Sequence, residues 1–190
     1  MNIGLYFGSF NPVHTGHLII ANYVLNETGL ERIWFVVSPQ NPFKDDHTLL
    51  QARKRLALVK KSILADERFF ASDVEFHLSK PSFTIHTLRH LRSTHHEHTF
   101  SVIMGSDSFQ SIDKWKDFQS IVSDYKIFIF RRQGFELHNN ISADIQILGA
   151  PLIDISSTAI RELIKKGKSI RYLVPEKVRK EIEKKEYYKK

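Results

Sequence analysis

The sequence predicts an α/β fold, a doubly wound parallel sheet with helices on both faces, built as a single domain. Three observations carry this. Short runs rich in Ile, Val and Phe alternate along the chain with helix-like segments. The runs are continuously apolar rather than alternating, as strands covered on both faces are. The 190 residues suit one domain with a sizeable core, and no internal repeat or low-complexity linker divides them.

Strands are expected at Asn2–Phe7, Ile33–Val37, Phe69–Ser72, Phe100–Met104, Ile127–Phe130 and Ile145–Leu148. Helices are expected at about Gly16–Asn26, Leu49–Leu64, Ile85–Ser93, Phe118–Val122, Ser157–Lys166 and Glu176–Lys185. In the second of these, Leu56, Val59 and Ile63 form an i, i+3, i+7 stripe with Lys54, Lys60 and Lys61 around the rest, the pattern of a surface helix over a core. Alternating strands and helices favour a Rossmann-like parallel sheet. The domain spans 1–190, with a C-terminal helical segment from about 157 to 190 packed on it. The polar stretch Gly134–Ala143 reads as a surface loop. Ligands of such folds sit beyond the carboxyl ends of the strands, where the strand order switches. Segments 8–17, 38–44 and 105–107 each follow an expected strand.

Composition narrows the class. The apolar fraction of 42% and charged fraction of 26% are ordinary for a globular protein. No apolar run is long enough to span a bilayer, and a strand-like start with no basic lead-in argues against a signal peptide. With no cysteines there is no disulfide and no thiolate metal site, which suits a cytoplasmic setting. The net charge of +7 fits nucleic-acid, membrane-surface or phosphorylated small-molecule partners without choosing among them. Part of that charge lies in residues 176–190, read as a solvated helical face and tail. A homo-oligomer stays open.

The chemistry concentrates in Gly8-Ser9-Phe10-Asn11-Pro12-Val13-His14-Thr15-Gly16-His17. An apolar strand runs into a small-residue turn, and two histidines three residues apart stand where a helix begins. Such a turn exposes backbone N–H groups, and the helix N-terminus adds partial positive charge, so anions bind there. Two imidazoles add donors at the same place. Gly8 and Gly16 let backbone approach a ligand, and Ser9 and Phe10 offer N–H groups. Zinc is the weaker reading, because no third ligand lies nearby in sequence and no His-Glu-x-x-His occurs. A second polar cluster, Ile155-Ser156-Ser157-Thr158-Ala159-Ile160-Arg161, opens a helix with Ser156 as its N-cap. Ser157 and Arg161 share one face, and taken alone this is an ordinary capped helix with a surface arginine. Gly105-Ser106-Asp107 follows the strand at 100–104, where Asp107 could cap a short helix.

These motifs, in this order over nearly the whole chain, resemble the nucleotidyltransferase superfamily with a His-x-Gly-His sequence, and within it the bacterial nicotinate-nucleotide adenylyltransferases. The resemblance implies transfer of AMP from ATP to nicotinate mononucleotide. It assigns His14 and His17 to the ATP phosphates, with Arg161 and the Ser156, Ser157 and Thr158 segment on the β- and γ-phosphates. It also implies that Gly105 and Asp107 contact the adenosine. For the acceptor it points to Asn41 and Lys44 in Pro39–Lys44, to Ser82, Phe83 and Thr84 for the nicotinate carboxylate, and to Trp115 stacking on the pyridine ring. Arg132 would face the mononucleotide phosphate. Two positions depart from the family pattern: Asn11 stands where many relatives carry Asp, and Phe83 where Tyr is usual, removing a hydroxyl. Magnesium is expected on the ATP phosphates, with no ligand from protein side chains.

The implied reaction is in-line attack of the acceptor phosphate on the α-phosphorus, without a covalent enzyme intermediate. A phosphate monoester is largely ionised at neutral pH (second pKa about 6) and needs no general base. Rival readings are a pantetheine-phosphate adenylyltransferase, which usually has Thr where His14 stands, or a cytidylyltransferase, which lacks the Ser-x-Thr and Trp features. From another class, the charge raises a basic nucleic-acid-binding protein, but no aromatic-basic motif supports it. The expectation is therefore small-molecule substrates, no nucleic acid and no membrane.

Three further patterns read as bland. Gly167-Lys168-Ser169 resembles the end of a P-loop but closes a helix, so Gly167 is a C-cap. His86 and His90 have i, i+4 spacing without a Glu partner. His95-His96-Glu97-His98 resembles a metal site but reads as a surface turn in polar surroundings. No Gly-x-Gly-x-x-Gly occurs, which weakens a dehydrogenase reading.

Overall fold

In the computed structural model, which describes residues 1–40, 49–135, 141 and 143–189, the six apolar runs form six strands. They are β1 (Asn2–Gly8), β2 (Arg32–Val37), β3 (Phe69–Ser72), β4 (Thr99–Gly105), β5 (Ile127–Phe130) and β6 (Ile145–Leu148). The strands pair in the order β3-β2-β1-β4-β5-β6, and every pairing is parallel. This is the doubly wound order with its switch between β1 and β4, where the chain leaves in opposite directions across the sheet. The carboxyl ends of β1 and β4 therefore flank an open crevice.

Seven helices stand among the described residues, five between strands and the last two after β6: α1 (Thr15–Glu27), α2 (Ala52–Ile63), α3 (Thr84–Thr94), α4 (Ser106–Phe109), α5 (Phe118–Asp124), α6 (Ser157–Lys165) and α7 (Glu176–Lys184). The 3₁₀ turns Val74–His77 and Ile112–Lys114 add to them among the described residues. Successive strand residues point to opposite faces, and both faces are covered. Ile3, Leu5, Val102, Met104, Ile127 and Ile129 pack with Ile85, Leu88 and Leu91 of α3 and Ile121 of α5. Tyr6, Phe35, Ile103, Phe128 and Phe130 face the other way, onto α1 and α2. Ile160 of α6, Ile170, Val174, and Val178 and Ile182 of α7 join that second cluster, so the C-terminal segment is part of the core. The basic stretch there carries its own ion pairs, Arg179 with Glu176 and Glu183, and Lys61 of α2 reaches Glu181.

Element boundaries differ from expectation at α2, which starts at Ala52 rather than Leu49. The Leu50 N–H is held by Asn11 Oδ1 at 3.1 Å and the Leu50 carbonyl accepts from Arg55, so residues 49–51 serve as a tie rather than a turn of helix. Both 3₁₀ turns fall in stretches too short for periodicity to reveal. At the far end of α6, Gly167 has φ +64°, its N–H donates to Ile164 and the Lys168 N–H to Leu163, a Schellman cap as the sequence indicated. Of the loop expected over 134–143, residues 136–140 and 142 lie outside the described residues.

The most consequential tertiary tie is Arg55, one of the most deeply buried side chains, at 1% exposure. Its guanidinium donates to the carbonyls of Ser9, Ser38, Pro39 and Leu50. It thereby joins the loop after β1 to the loop after β2. Removing it strands several buried carbonyls, each costing about 1–3 kcal/mol. Arg55→Met is expected to lower unfolding stability by on the order of 3 kcal/mol or more in urea titrations, with Arg55→Lys recovering only part of the loss.

Candidate active site

At the carboxyl end of β1 the chain turns sharply. Phe10 adopts φ +46°, a left-handed conformation costly for a residue with a side chain, and its ring lies 2% exposed against Gly8. A Cβ on Gly8 would meet the Phe10 ring at 2.8 Å, so this turn requires glycine. The same ring packs edge-on to His17, with centroids 5.0 Å apart. Strain is thus concentrated where the two histidines are aimed.

His14 is the N-cap of α1 and His17 lies in its first turn. Their rings stack, 3.7 Å between centroids and 28° apart. The His14 N–H donates to His17 Nδ1 at 3.2 Å, and the His17 N–H donates to the His14 carbonyl at 3.0 Å. Because Nδ1 accepts, neutral His17 carries its proton on Nε2. His14 is buried, and its Nδ1 is sealed from solvent with no partner among the described residues. Burial, and then the charge of Arg132, push the His14 pKa down to about 4, so its ring is neutral at physiological pH. Gly16 leaves room for this ring, since a Cβ there would lie 3.1 Å from His14 Nδ1.

The opposite wall comes from α6. Ser156 caps it by accepting from the Ala159 N–H at 3.1 Å, as the sequence indicated. Ser157 Oγ donates to the Pro12 carbonyl at 2.8 Å, and Arg161 donates to the Asn11 carbonyl at 2.9 Å and to Thr158 Oγ1 at 3.3 Å. These side chains pin the histidine turn as well as facing the cavity. Asn11 holds the same turn from the other side through Leu50, a task its amide performs without a charge.

β4 and β5 supply the next wall. Gly105 admits Asp107, whose carboxylate would collide with a Cβ at that position. Asp107, in the first turn of α4, stands 3.5 Å from Arg132, and the Arg132 N–H donates to the fully buried Ser106 hydroxyl at 2.9 Å. Farther along, Phe83 is the N-cap of α3 and Thr84 its first residue. That helix has no side-chain cap and no acidic residue in its first turn. Ser82 is tied by its N–H to the Gln40 carbonyl at 3.2 Å. Trp115 follows the 3₁₀ turn at Ile112–Lys114 and packs partly against the core under α3.

One cavity of about 660 Å³ is lined by Gly8, Ser9, Phe10, His14, His17, Ser82, Phe83, Thr84, Gly105, Asp107, Trp115, Arg132, Ser156, Ser157, Thr158 and Arg161. The structure thus brings together residues from six separate segments that the sequence singled out. Gly16 lies behind the histidines, on a smaller adjoining pocket. Asn41 and Lys44 lie outside the described residues.

Sequence reasoning missed Glu75 and Lys116, which also line the cavity, as does Ser38 at the start of the expected segment 38–44. Lys116 sits over the Phe83 ring at 4.6 Å. Glu75, 2% exposed, accepts from the Thr87 hydroxyl at 3.0 Å, and its second oxygen is sealed without a hydrogen bond among the described residues. Burial raises its pKa, opposed by the nearby hydroxyls of Ser38, Thr87 and Ser82. No local pattern marks Glu75, because its neighbours come from three separate segments. Arg55 did carry a signal: an arginine four residues before Val59 on the inward stripe of α2.

The family described as cytidylyltransferase-like matches residues 5–163. A protein of Cytophaga hutchinsonii named "Probable nicotinate-nucleotide adenylyltransferase" is 42% identical over 193 residues, covering 99% of this chain and 98% of its own. One of the same name from Flavobacterium psychrophilum is 42% identical and covers both chains fully. Among solved structures, the Plasmodium falciparum nicotinic acid mononucleotide adenylyltransferase complexed with NaAD superposes with a TM-score of 0.84 at 22% identity, over 98% of this chain and 97% of its own. The same enzyme complexed with APC gives 0.77, covering 98% and 96%. At that identity the likeness speaks for the fold.

His14 links the site to stability. The unfolded chain takes up a proton at its imidazole below about pH 6.5, while the folded site resists until about pH 4. Stability contributed by neutral His14 is complete above pH 6.5 and lost as pH falls towards 4, on the order of 3 kcal/mol in all. Urea unfolding between pH 7 and 4 is expected to show this slope, and His14→Gln to flatten it.

Proposed function

The chain belongs to the nicotinate-nucleotide adenylyltransferase family, and from that premise we infer that it transfers the AMP moiety of ATP to nicotinate mononucleotide, giving deamido-NAD and pyrophosphate, a step in NAD biosynthesis. The observation that carries the site assignment is the stacked His14–His17 pair sharing one cavity with Arg161 at one wall and Trp115 at another. A cavity of this kind accommodates two substrates whose phosphates meet at the histidines.

In this reading the triphosphate lies along the turn Gly8-Ser9-Phe10, with Gly16 behind it. His14, His17 and Arg161 are the catalytic residues. Ser156, Ser157 and Thr158 at the start of α6 offer N–H and hydroxyl donors to the outer phosphates. Gly105 and Asp107 take the adenosine. The acceptor phosphate attacks the α-phosphorus; one P–O bond forms as the bond to pyrophosphate breaks, and no proton need leave the nucleophile. The protein's work is positioning and charge stabilisation. Neutral His14 contributes a dipole rather than a full charge, His17 a donor through Nε2, and Arg161 and Arg132 the formal positive charge. Magnesium enters as part of the substrate Mg-ATP. The carboxyls on the described cavity wall are Asp107, facing Arg132, and Glu75, bonded to Thr87, which is not the oxygen cage a resident ion needs.

For the acceptor, Ser82, Phe83 and Thr84 bring the uncapped end of α3 to the nicotinate carboxylate, whose oxygens accept from its leading N–H groups. Phe83 lacks a hydroxyl, so main chain must make this contact. Trp115 stacks on the ring and Arg132 meets the phosphate. Asn41 and Lys44 stay with this subsite as family-based assignments. Glu75 positions it: its bond to Thr87, one turn into α3, sets where the helix end stands. Dependence on ATP favours a cytoplasmic setting. No helix among the described residues is long and apolar enough to cross a membrane.

Pyrophosphate release from Mg-ATP is expected with nicotinate mononucleotide and far less with the nicotinamide form; equal kcat/KM values would remove the carboxylate assignment. His17→Ala should lower kcat by about a hundredfold or more while changing the KM for ATP much less. Glu75→Ala should raise the KM for the mononucleotide by about tenfold, with the KM for ATP nearly unchanged.

A further inference from the structure

At the end of the sheet remote from the cavity, three side chains with metal-binding donors meet in a turn that adenylyl transfer does not use. α3 ends at Thr94, and His95-His96-Glu97-His98 leads into β4. The turn is held by hydrogen bonds: the His95 N–H donates to Leu91 at 2.9 Å and the His98 N–H to His95 at 3.1 Å. The N-terminal ammonium of Met1 donates to the Glu97 carbonyl at 3.2 Å.

The sequence suggested polar surroundings here, and the structure corrects that. Trp34 stands edge-on to both imidazoles, with centroids 5.5 Å from His95 and 6.4 Å from His98, and Phe100 flanks both at 6.4 and 6.2 Å. The two imidazole rings lie parallel, 5° and 5.7 Å apart. His98 is largely covered, and its Nδ1 is sealed from solvent, which leaves Nε2 as the outward donor atom. Aromatic packing therefore fixes both rings before any ligand arrives, and the ordering cost of binding is reduced.

The spacing of the donors is specific. His95 Nδ1 lies 3.7 Å and His98 Nε2 3.4 Å from the same oxygen, Glu97 Oε1. One donor atom from each of the three residues falls within 4.8 Å of the other two. A zinc ion with bonds of about 2.0–2.1 Å holds tetrahedral ligand atoms about 3.3–3.4 Å apart. Two of the three edges are already near that length, and Glu97, 64% exposed, is free to adjust. Two neutral imidazoles and one carboxylate suit zinc and its neighbours in the first transition row, not magnesium, which prefers six oxygens.

We propose that His95, Glu97 and His98 bind one divalent cation of the zinc class, leaving a coordination position to water, and that the ion clamps the end of α3 to the start of β4. The site is structural. It lies beyond the amino end of β4, whereas the reacting phosphates belong beyond its carboxyl end.

The test uses the full-length untagged protein and two probes, Zn²⁺ and Co²⁺. Zinc is titrated against a chromophoric chelator, and cobalt is followed by its visible bands, which intensify in four- or five-coordinate sites. The expected result is one equivalent per chain at micromolar affinity or tighter, with a rise in thermal midpoint on adding one equivalent of zinc. His98→Ala and Glu97→Gln should each weaken binding at least tenfold and abolish the thermal shift, while His90→Ala keeps both. Adenylyl transfer with Mg-ATP should be unchanged in Glu97→Gln. Glu97 is exposed, so this variant decides the matter even if His98→Ala fails to fold. Zinc bound as tightly by Glu97→Gln as by the parent, or no tighter than millimolar by either, would leave only a histidine–glutamate ion pair and overturn the proposal.

Discussion

A single buried guanidinium organises the crevice. Loops at the carboxyl ends of parallel strands run out over the sheet edge, and their carbonyls have no ladder partner there. Arg55 collects those of Ser9, Ser38, Pro39 and Leu50, so the turn carrying the histidines and the loop after β2 share one donor group. Its planar fork reaches several acceptors at once, which a lysine ammonium on a flexible stem does less well. The strained turn at Phe10 and the stacked imidazoles are sustained because the surrounding bonds over-determine them.

From that tie the site grows by reciprocal contacts between distant segments. Asn11 is held through Leu50 on one side and Arg161 on the other, and Pro12 through Ser157. The residues that face the cavity thus also fix one another. The histidines themselves are paired through backbone: the His14 N–H holds the His17 ring at Nδ1, and the His17 N–H closes on the His14 carbonyl. Burial keeps His14 neutral, so this part of the cavity wall carries directed dipoles and the formal positive charge stands on Arg132 and Arg161.

Much of this was legible in the sequence. All six strands were, because strands buried on both faces read as unbroken apolar runs, and the glycines and serines of the turns marked where they end. The Ser156 cap and the Gly167 cap were readable because capping is local chemistry. Family resemblance supplied what local reading could not: it raised Ser157 and Arg161 from an ordinary helix start to the site wall, although it did not foretell that they also brace Asn11 and Pro12. Glu75 left no trace because its neighbours Ser38, Ser82 and Thr87 converge only in three dimensions. Arg55 was passed over amid the lysines of α2, where position on the inward stripe, not residue type, was the clue. The histidine stretch before β4 is the surface turn the sequence suggested, but its apolar walls were not legible there, because Trp34, more than sixty residues earlier, supplies them.

The first turn of α1 is also finished from far away. The Thr15 N–H donates to the Leu173 carbonyl and its hydroxyl to Tyr172, across 157 residues of sequence. Residues 172 and 173 are made long after the histidines whose helix start they complete. A chain that has paired all six strands but not yet seated this stretch holds its sheet with the first turn of α1 still unfinished.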